Sequence, residues 1–336
     1  MRAAIIDEPG QVRVGEVPDP APGAGEVVLR VGATGICGTD LHIAAGQFPP
    51  SPYPLVPGHE FSGEVVAVGA DVPDASRSGV QVGDRVAVDP SLFCGRCRFC
   101  RVGRGNLCQY WGAVGDTVDG AFAEYVAVPA ANCYRMPDDM TYRQGALVEP
   151  LSCAVHGLDR IGAAAGESFL VVGAGTMGLL IQQLLQRSGA RVVVVDRNAD
   201  RLPLAAQLGA AATATDIAQL DGELFSAAVD VTGAVPAIEG ALGALDRGGR
   251  MLVFGVAHAD ARAAVPPFRV YNDELSIIGS MAVLHSFGLA LELMASGAVV
   301  VDPLLTHTLP LEEFPQALDL MRSGAGVKVQ VLPGDA

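Results

Sequence analysis

Residues 169–196 combine an apolar strand, a glycine-rich turn, a helix and a second apolar strand that ends in an acidic residue. Phe169-Leu170-Val171-Val172 runs into Gly173-Ala174-Gly175-Thr176-Met177-Gly178, and Asp196 closes the next apolar strand 18 residues after Gly178. A G-x-G-x-x-G motif is weak on its own, but between a strand and a helix it is typical of a dinucleotide-binding βαβ unit. The pattern predicts that the second half of the chain folds as a doubly wound parallel sheet.

The same stretch predicts which cofactor the sheet binds. Glycines let the backbone approach a pyrophosphate at the helix N-terminus. Asp196 can accept hydrogen bonds from the adenosine ribose hydroxyls, and its charge repels a 2′-phosphate. The sequence therefore predicts NAD over NADP, although Arg197, directly after Asp196, can pair with a 2′-phosphate. The residues predicted to bind the cofactor are Gly173, Gly175, Thr176, Met177, Gly178, Asp196, Arg197, Thr232, Gly255, Ser280 and Lys328.

Strands and helices continue to alternate after Asp196. Apolar strands are predicted over 227–233, 251–255 and 276–280, with a helix over 237–245. Helices over 286–296 and 312–323 and a last strand over 327–331 follow. Before residue 150 the predicted elements are short strands separated by glycine and proline, which favours a β-rich, barrel-like first domain. The two halves together indicate an α/β protein.

The octapeptide Gly35-Ile36-Cys37-Gly38-Thr39-Asp40-Leu41-His42 carries a thiol, a hydroxyl and an imidazole within six residues. A cysteine thiolate is a good zinc ligand, a threonine hydroxyl beside the metal can pass a proton, and a histidine can carry that proton to solvent. His59-Glu60 follows, 22 residues after Cys37. These residues predict a catalytic centre; an ordinary surface histidine is the alternative for His42.

Four of the seven cysteines form a C-x2-C-x2-C-x7-C cluster. Gaps of two residues let neighbouring thiolates converge on one ion, and four thiolates make a closed tetrahedral site with no open position for substrate. The cluster therefore predicts a structural metal that folds a small lobe over 94–108. An iron–sulfur cluster also takes four cysteines, but the flanking sequence favours zinc. The predicted ligands are Cys94, Cys97, Cys100 and Cys108.

Glu149 lies in the otherwise apolar run Ala146-Leu147-Val148-Glu149-Pro150-Leu151, which opens a predicted helix. Burying an isolated carboxylate is costly, so this residue needs a partner if it is buried. A surface glutamate at a helix start is the alternative. Cys133 and Cys153 have no metal partner in the sequence and are predicted to be structural.

Composition limits the class of partner. The net charge of −15 at pH 7, from 22 basic and 37 acidic residues, argues against nucleic acid and against anionic membranes, because both attract basic surfaces. The N-terminal residues have no long apolar stretch of the kind found in signal peptides. No uninterrupted run of 18 or more apolar residues suggests a membrane span. With the clustered cysteines, these features predict a cytoplasmic protein.

The motifs, in this order, resemble those of the zinc-containing medium-chain dehydrogenase/reductase superfamily over nearly the whole chain. Within it, Val148-Glu149-Pro150-Leu151 resembles the sorbitol (polyol) dehydrogenase branch. The resemblance implies a GroES-like catalytic domain over 1–150, a Rossmann domain over 151–285, and a segment over 286–336 that returns to the catalytic domain. It also implies a homodimer or homotetramer paired through the edge of the Rossmann sheet.

The resemblance further implies roles for individual residues. Cys37, His59 and Glu60 would be ligands of a catalytic zinc, and Glu149 would hold the water on the zinc or replace Glu60. Asp40 would steady one of the ligands. The expected reaction is oxidation of a secondary alcohol (a polyol, cyclitol or sugar-like compound) to a ketone, with hydride transfer to NAD. The proton would pass from Thr39 through the cofactor ribose to His42.

Three alternatives remain open at the level of sequence. A threonine or simple-alcohol dehydrogenase of the same fold would differ mainly in loops 43–57 and 109–118, whose specificity the sequence does not disclose. A non-catalytic relative that only binds zinc and dinucleotide is disfavoured, because the catalytic residues are intact. Sorbitol itself is in doubt, since the apolar Met281-Ala282-Val283-Leu284 stands where sorbitol dehydrogenases tend to have an arginine.

Overall fold

The computed structural model describes residues 1–48, 51–73 and 79–334, so residues 49–50 of the predicted loop over 43–57 lie outside the described ranges. The chain divides into two compact units. The first contains Met1–Ser152 and Val283–Ala336, and the second contains Cys153–Ala282. Among the described residues, none of the helices combines the length and the apolar character that a membrane span needs.

The elements of the described ranges are numbered here in chain order. The strands are β1 (Arg2–Glu8), β2 (Gln11–Glu16), β3 (Glu26–Gly35), β4 (Glu60–Val68), β5 (Arg85–Val88), β6 (Ser91–Leu92), β7 (Gly112–Ala113), β8 (Tyr125–Pro129), β9 (Cys133–Arg135), β10 (Ser168–Val172), β11 (Arg191–Val195), β12 (Ala212–Ala214), β13 (Phe225–Asp230), β14 (Leu245–Val253), β15 (Ser276–Gly279), β16 (Leu305–Pro310) and β17 (Lys328–Leu332). The helices are α1 (Gly38–Ala44), α2 (Tyr142–Gly145), α3 (Val148–Ile161), α4 (Thr176–Arg187), α5 (Leu202–Gln207), α6 (Val235–Gly243), α7 (Pro267–Asn272), α8 (Phe287–Ala295) and α9 (Phe314–Ser323).

The second unit is built on a six-stranded parallel sheet with the strand order β12-β11-β10-β13-β14-β15. Its inner strands β10 and β11 read as unbroken apolar runs, and residues 169–172 and 192–195 are buried, as expected of parallel strands covered on both faces. The order reverses at β10, and this reversal is the point at which doubly wound sheets bind nucleotides. The predicted parallel sheet is therefore confirmed.

The first unit is built on a mostly antiparallel sheet with the path β16-β17-β3-β4-β5-β9, in which β8 also pairs with β3. The long strand β3 lies near the centre because its apolar residues are buried between neighbours on both sides. The C-terminal strand β17 pairs with the end of β3, where Gln330 lies opposite Gly35. Strand β17 thus lies beside the first predicted site residues, and the predicted α/β class is confirmed.

The sequence of the first unit predicts a strand within 80–88 that follows a turn at Gly83-Asp84, and a strand over 120–128. The first agrees with β5, which follows a turn at Gly83 and Asp84 in which Gln81 N–H donates to the Asp84 carboxylate at 2.9 Å. The second is shorter than predicted. The predicted strand over 120–128 begins only at Tyr125. The backbone before it, from Gly120 to Phe122, instead donates hydrogen bonds to residues 56–58.

Candidate zinc and dinucleotide sites

The pairing of β3 with β4 brings together three residues that are distant in sequence. Gly35, at the end of β3, lies opposite Glu60 at the start of β4. In an antiparallel pair the chain continues in opposite directions from this point, so Cys37 and His59 emerge on the same edge of the sheet. The possible ligand atoms of Cys37, His59 and Glu60 all lie within 4.8 Å of one another. His59 and Glu60 are buried and Cys37 is partly buried.

This donor set fits a catalytic zinc ion. Thiolate, imidazole and carboxylate are the three ligand types that zinc takes in proteins, at about 2.0–2.3 Å from the metal. Three donors leave the fourth tetrahedral position open, as a catalytic site requires. Glu149, the other predicted ligand, is buried at the start of α3. Among the described residues, it does not belong to the group of donors within 4.8 Å of one another, so the geometry favours Glu60 as the third ligand.

Cys37 is held in place by the start of α1. Its backbone N–H donates to the Asp40 carboxylate at 2.8 Å, which closes the first turn of the helix. The same turn places the Thr39 hydroxyl 3.8 Å from the Cys37 sulfur. His42 is partly exposed, and its Nδ1 lies 3.2 Å from the side-chain oxygen of Gln47. One short helix thus carries a thiol, a hydroxyl and a solvent-accessible imidazole in sequence.

Lys328 lies beside Glu60, at the start of β17. Its ammonium forms an ion pair with Glu60 and donates to the Ile36 carbonyl at 2.9 Å. Both side chains are almost completely buried. A Cβ at Gly35 would collide with the Glu60 carboxylate, so only glycine leaves room for the pair there. Since the Lys328 ammonium is engaged in this pair, the geometry gives no support to its predicted contact with the cofactor.

Two carboxylates flank the His59 imidazole. His59 Nδ1 lies 3.0 Å from Asp116 Oδ1 and 3.9 Å from Asp40 Oδ1, and all three side chains are buried. Burial lowers the pKa of His59, but the charges of Asp116 and Asp40 outweigh it and raise the pKa well above its usual value. Burial raises the pKa of Asp40 to about 7. The sequence reasoning missed Asp116, which lies 57 residues after His59.

The four clustered cysteines converge as the sequence spacing predicts. Their sulfurs are 3.5 Å apart for Cys97 and Cys100, 3.9 Å for Cys97 and Cys108, and 4.0 Å for Cys94 and Cys100. A zinc ion with four sulfurs at about 2.3 Å requires sulfurs about 3.8 Å apart. Backbone N–H groups of Cys100 and Gln109 lower the pKa of Cys97 to about 6, which favours the thiolate form that binds metal. The lobe therefore fits a closed four-thiolate zinc site.

The predicted dinucleotide turn joins β10 to α4. Gly173 has a φ of +112°, a conformation that favours glycine. Gly175 precedes the helix, and Thr176, Met177 and Gly178 form its first turn. A Cβ at Gly178 would collide with the Gly173 carbonyl, so the third glycine allows the helix to pack closely on the strand. The N–H groups in the first turn of a helix point towards its N-terminus and can hold a phosphate.

Asp196 follows β11 and is tied to this turn. Its carboxylate accepts hydrogen bonds from the N–H of Ala174 at 2.7 Å and of Asn198 at 2.8 Å. Arg201 lies 3.7 Å from the same carboxylate. Arg197 is exposed. Asp196 is thus held at the end of the strand where the ribose of a dinucleotide is expected.

Three further residues predicted to bind the cofactor lie near the ends of the adjacent strands β13, β14 and β15. Thr232 follows β13, and its hydroxyl donates to Asp230 at 2.6 Å. Gly255 follows β14, and a Cβ there would collide with the Gly233 backbone. Ser280 follows β15, and its N–H donates to the Val253 carbonyl at 3.3 Å. All three therefore lie at carboxyl ends of parallel strands, where open α/β sheets bind ligands.

Comparison with known families identifies the family of both units. Residues 23–138 match the alcohol dehydrogenase GroES-like domain, and residues 176–296 match the zinc-binding dehydrogenase domain. D-arabinitol dehydrogenase 1 from Uromyces fabae is 36% identical, with 99% of this chain and 97% of that protein covered. The chain belongs to the zinc-containing medium-chain dehydrogenase/reductase superfamily and resembles its polyol dehydrogenases.

Two solved structures extend the likeness to the cofactors. A zinc-binding dehydrogenase from Sinorhizobium meliloti bound to NADP is similar with a TM-score of 0.92 and 33% identity, and covers 99% of both chains. An alcohol dehydrogenase from E. coli complexed with NADH has a TM-score of 0.91 and 30% identity, again over 99% of both chains. This protein is an enzyme, a zinc-dependent alcohol dehydrogenase that uses NAD, as predicted from the sequence.

Proposed function

We propose that this enzyme oxidises a secondary alcohol of the polyol class to a ketone at a zinc ion held by Cys37, His59 and Glu60. The observation that carries the proposal is the convergence of these three donors within 4.8 Å, with the Thr39 hydroxyl 3.8 Å from the Cys37 sulfur. Bound zinc supplies Lewis acidity that lowers the pKa of the substrate hydroxyl, and NAD accepts the hydride.

The residues of the chain provide the positioning and the proton path. Thr39, whose hydroxyl lies 3.8 Å from the Cys37 sulfur, relays the hydroxyl proton of the substrate: its oxygen accepts that proton while its own hydroxyl proton moves on through the cofactor ribose towards His42. His42, three residues further along the helix and partly exposed, releases the proton to water. Lys328 balances the charge of Glu60 within the buried site. The turn at Gly173–Gly178 binds the pyrophosphate of NAD, and Asp196 accepts hydrogen bonds from its ribose.

One comparison supports a neutral polyol as substrate, since the relative with 36% identity is a D-arabinitol dehydrogenase. An L-threonine 3-dehydrogenase with 34% identity makes threonine the second candidate, and the test below separates the two.

The test is NADH formation by the zinc-loaded enzyme with linear polyols including D-arabinitol, cyclitols, simple alcohols and threonine, run in parallel with NADP. We expect turnover of one polyol class with NAD, and loss of at least three orders of magnitude in Cys37→Ser, because a nonfunctional metal site removes roughly 4 kcal/mol or more of transition-state stabilisation. Cys133→Ser is the matched control, since Cys133 lies outside both cysteine-containing donor groups, and it should retain activity. Full activity in Cys37→Ser, or turnover of threonine alone, would contradict the proposal.

We further propose that the enzyme is a cytoplasmic homo-oligomer that associates through β15. This strand ends the six-stranded sheet and pairs only with β14 among the described residues. It exposes Ile277, and the preceding helix α7 exposes Phe268 and Tyr271. An exposed edge strand with apolar side chains is a template for pairing with another copy. Four of the seven cysteines cluster at 94–108 as in a metal site rather than a spread disulfide framework, which supports a reducing compartment.

A further inference from the structure

The loop that carries Asp116 is fixed against the residue that precedes His59. A tight turn forms over 113–118, in which the N–H groups of Asp116 and Thr117 donate to the Ala113 carbonyl at 3.1 and 2.9 Å. Gly115, with a φ of +88°, packs its backbone directly on Gly58, and a Cβ on Gly115 would collide with the Gly58 carbonyl. The turn can approach this closely only because Gly115 has no side chain.

Hydrogen bonds on the far side of the turn hold the same contact. The N–H groups of Gly120, Ala121 and Phe122 donate to the carbonyls of residues 56, 58 and 57 at 2.7, 2.9 and 3.0 Å. The Asp119 carboxylate accepts from the Val56 N–H at 2.9 Å. Because four hydrogen bonds join the two segments, the distance between Asp116 and His59 is set by rigid backbone contacts. These backbone contacts therefore hold Asp116 beside His59.

Asp116 is better placed than Asp40 to bind the imidazole. Its Oδ1 lies 3.0 Å from His59 Nδ1, whereas Asp40 Oδ1 lies 3.9 Å away. The other oxygen of Asp40 already accepts the Cys37 N–H, which commits this carboxylate to the start of α1. Within the described residues, neither Asp116 Oδ1 nor His59 Nδ1 has an aligned hydrogen-bond partner, so the 3.0 Å contact is a close ion-pair contact that a small rotation of either side chain turns into a hydrogen bond.

We propose that Asp116 is a positioning residue of the catalytic zinc site. Its carboxylate accepts a hydrogen bond from the Nδ1–H group of His59, which leaves Nε2 for the metal. The inference rests on the zinc site proposed above. A carboxylate on the outer nitrogen fixes the tautomer and orientation of a ligating histidine and makes it a more basic ligand. Asp40 then serves mainly to hold Cys37, and the two carboxylates support different ligands of the same ion.

The test compares Asp116→Asn, Asp40→Asn and the control Asp139→Asn, which changes an exposed carboxylate of the same unit. Each protein is stripped of metal and titrated with Co²⁺, and the d–d and thiolate charge-transfer bands report binding. We expect Asp116→Asn to weaken binding about 10–100-fold and to shift the d–d bands. Asp139→Asn should leave the bands in place, and the cysteine lobe should bind cobalt normally in every variant. An Asp116→Asn protein with the cobalt affinity and spectrum of the wild type would overturn the proposal. So would a loss of cobalt affinity that appears in Asp40→Asn but not in Asp116→Asn.

A second measurement needs no variant and so does not depend on one folding. Nitrogen NMR of ¹⁵N-histidine-labelled, zinc-loaded protein reports which ring nitrogen of His59 carries the proton. A proton on Nδ1 and metal on Nε2 supports the assignment, and metal on Nδ1 overturns it. If Cys37→Ser shows the same cobalt bands as the wild type, cobalt does not bind at Cys37 and the proposed zinc site itself fails. That result differs from failure of Asp116 alone, in which the Cys37-dependent bands persist unchanged.

Discussion

At the scale of single residues, Glu60 and Lys328 form a buried ion pair whose importance depends on the metal. Both side chains are about 3% exposed. Removing one member of a buried pair leaves an uncompensated charge, at a cost of about 3–5 kcal/mol. With zinc bound, the metal supplies positive charge beside Glu60. Lys328→Met should therefore lower the free energy of unfolding strongly in the zinc-free protein and much less in the zinc-loaded protein.

Urea unfolding of wild type and variant, each with and without a chelator, measures this difference. The comparison is between the two losses, because chelation also removes the metal of the cysteine lobe from both proteins. Arg322→Met is the control, since its ion pair with Asp319 is exposed and exposed pairs contribute little. If Lys328→Met loses the same free energy of unfolding with and without zinc, the metal does not replace Lys328 as the partner of Glu60.

The individual site residues differ in how far sequence could predict them. Cys37, Thr39 and His42 are close in the chain, and the chemistry of their side chains suggests a site before any fold is known. Asp116 could not be found this way, because its proximity to His59 depends on backbone contacts between Gly115 and Gly58. The sequence predicts Lys328 as a cofactor residue, which stays a prediction, but not its ion pair with Glu60, which the pairing of β17 with β3 creates. Such long-range pairing has no local signal.

At the scale of elements, the β10–α4 turn depends on the absence of a side chain at Gly178. A Cβ there would collide with the Gly173 carbonyl and push the helix away from the strand. Gly178→Ala should weaken NAD binding roughly tenfold or more, a cost of at least about 1.4 kcal/mol. Isothermal titration with NAD measures this effect, and the zinc content should not change. Gly243→Ala is the control, because a Cβ at the end of α6 has open space; equal losses in both variants would refute the packing argument.

The cysteine lobe should unfold locally when its metal is removed. It contributes few apolar residues to the core and exposes Val102 and Tyr110, so the metal replaces a hydrophobic core. The lobe carries Arg96, Arg98, Arg101 and Arg104. Chelation should therefore make these four positions sensitive to trypsin, with fragments cut near residue 100 seen by mass spectrometry. Cys108→Ala should show the same cleavage without chelator. An uncut lobe in both cases would mean that it folds without metal.

Secondary structure was predicted best where one local pattern decides it. The strand at 169–172 and the helix after the glycine turn agree with β10 and α4, because unbroken apolar runs and a strand–glycine–helix order leave little choice. The segment 120–128 is predicted as a strand throughout, whereas β8 begins only at Tyr125. Residues 120–122 instead pair with 56–58 outside any strand. This pairing serves the zinc site, and only the tertiary structure reveals it.

At the scale of the whole molecule, the exposed edge of the six-stranded sheet predicts how copies associate. Ile277 on β15 is 47% exposed, and Phe268 and Tyr271 on α7 are 74% and 82% exposed. Exposed aromatic side chains next to an unpaired strand edge indicate an interface. A lysine on such an edge opposes strand pairing, because its charge would be buried between two copies. We therefore expect Ile277→Lys to shift the enzyme towards the monomer.

Sedimentation velocity at several protein concentrations measures the shift, with the wild type expected as a dimer or tetramer. Leu289→Lys is the matched control, since Leu289 is 49% exposed on α8, away in sequence from the edge strand, and should leave the assembly unchanged. Cobalt binding at the cysteine lobe and at Cys37 should be the same in all three proteins, because those donors belong to the first unit. A monomeric wild type, or an Ile277→Lys protein that sediments as the wild type does, would place the association elsewhere or exclude it. Dissociation of Ile277→Lys with intact metal binding would show that the strand edge joins copies and that each copy holds its own zinc.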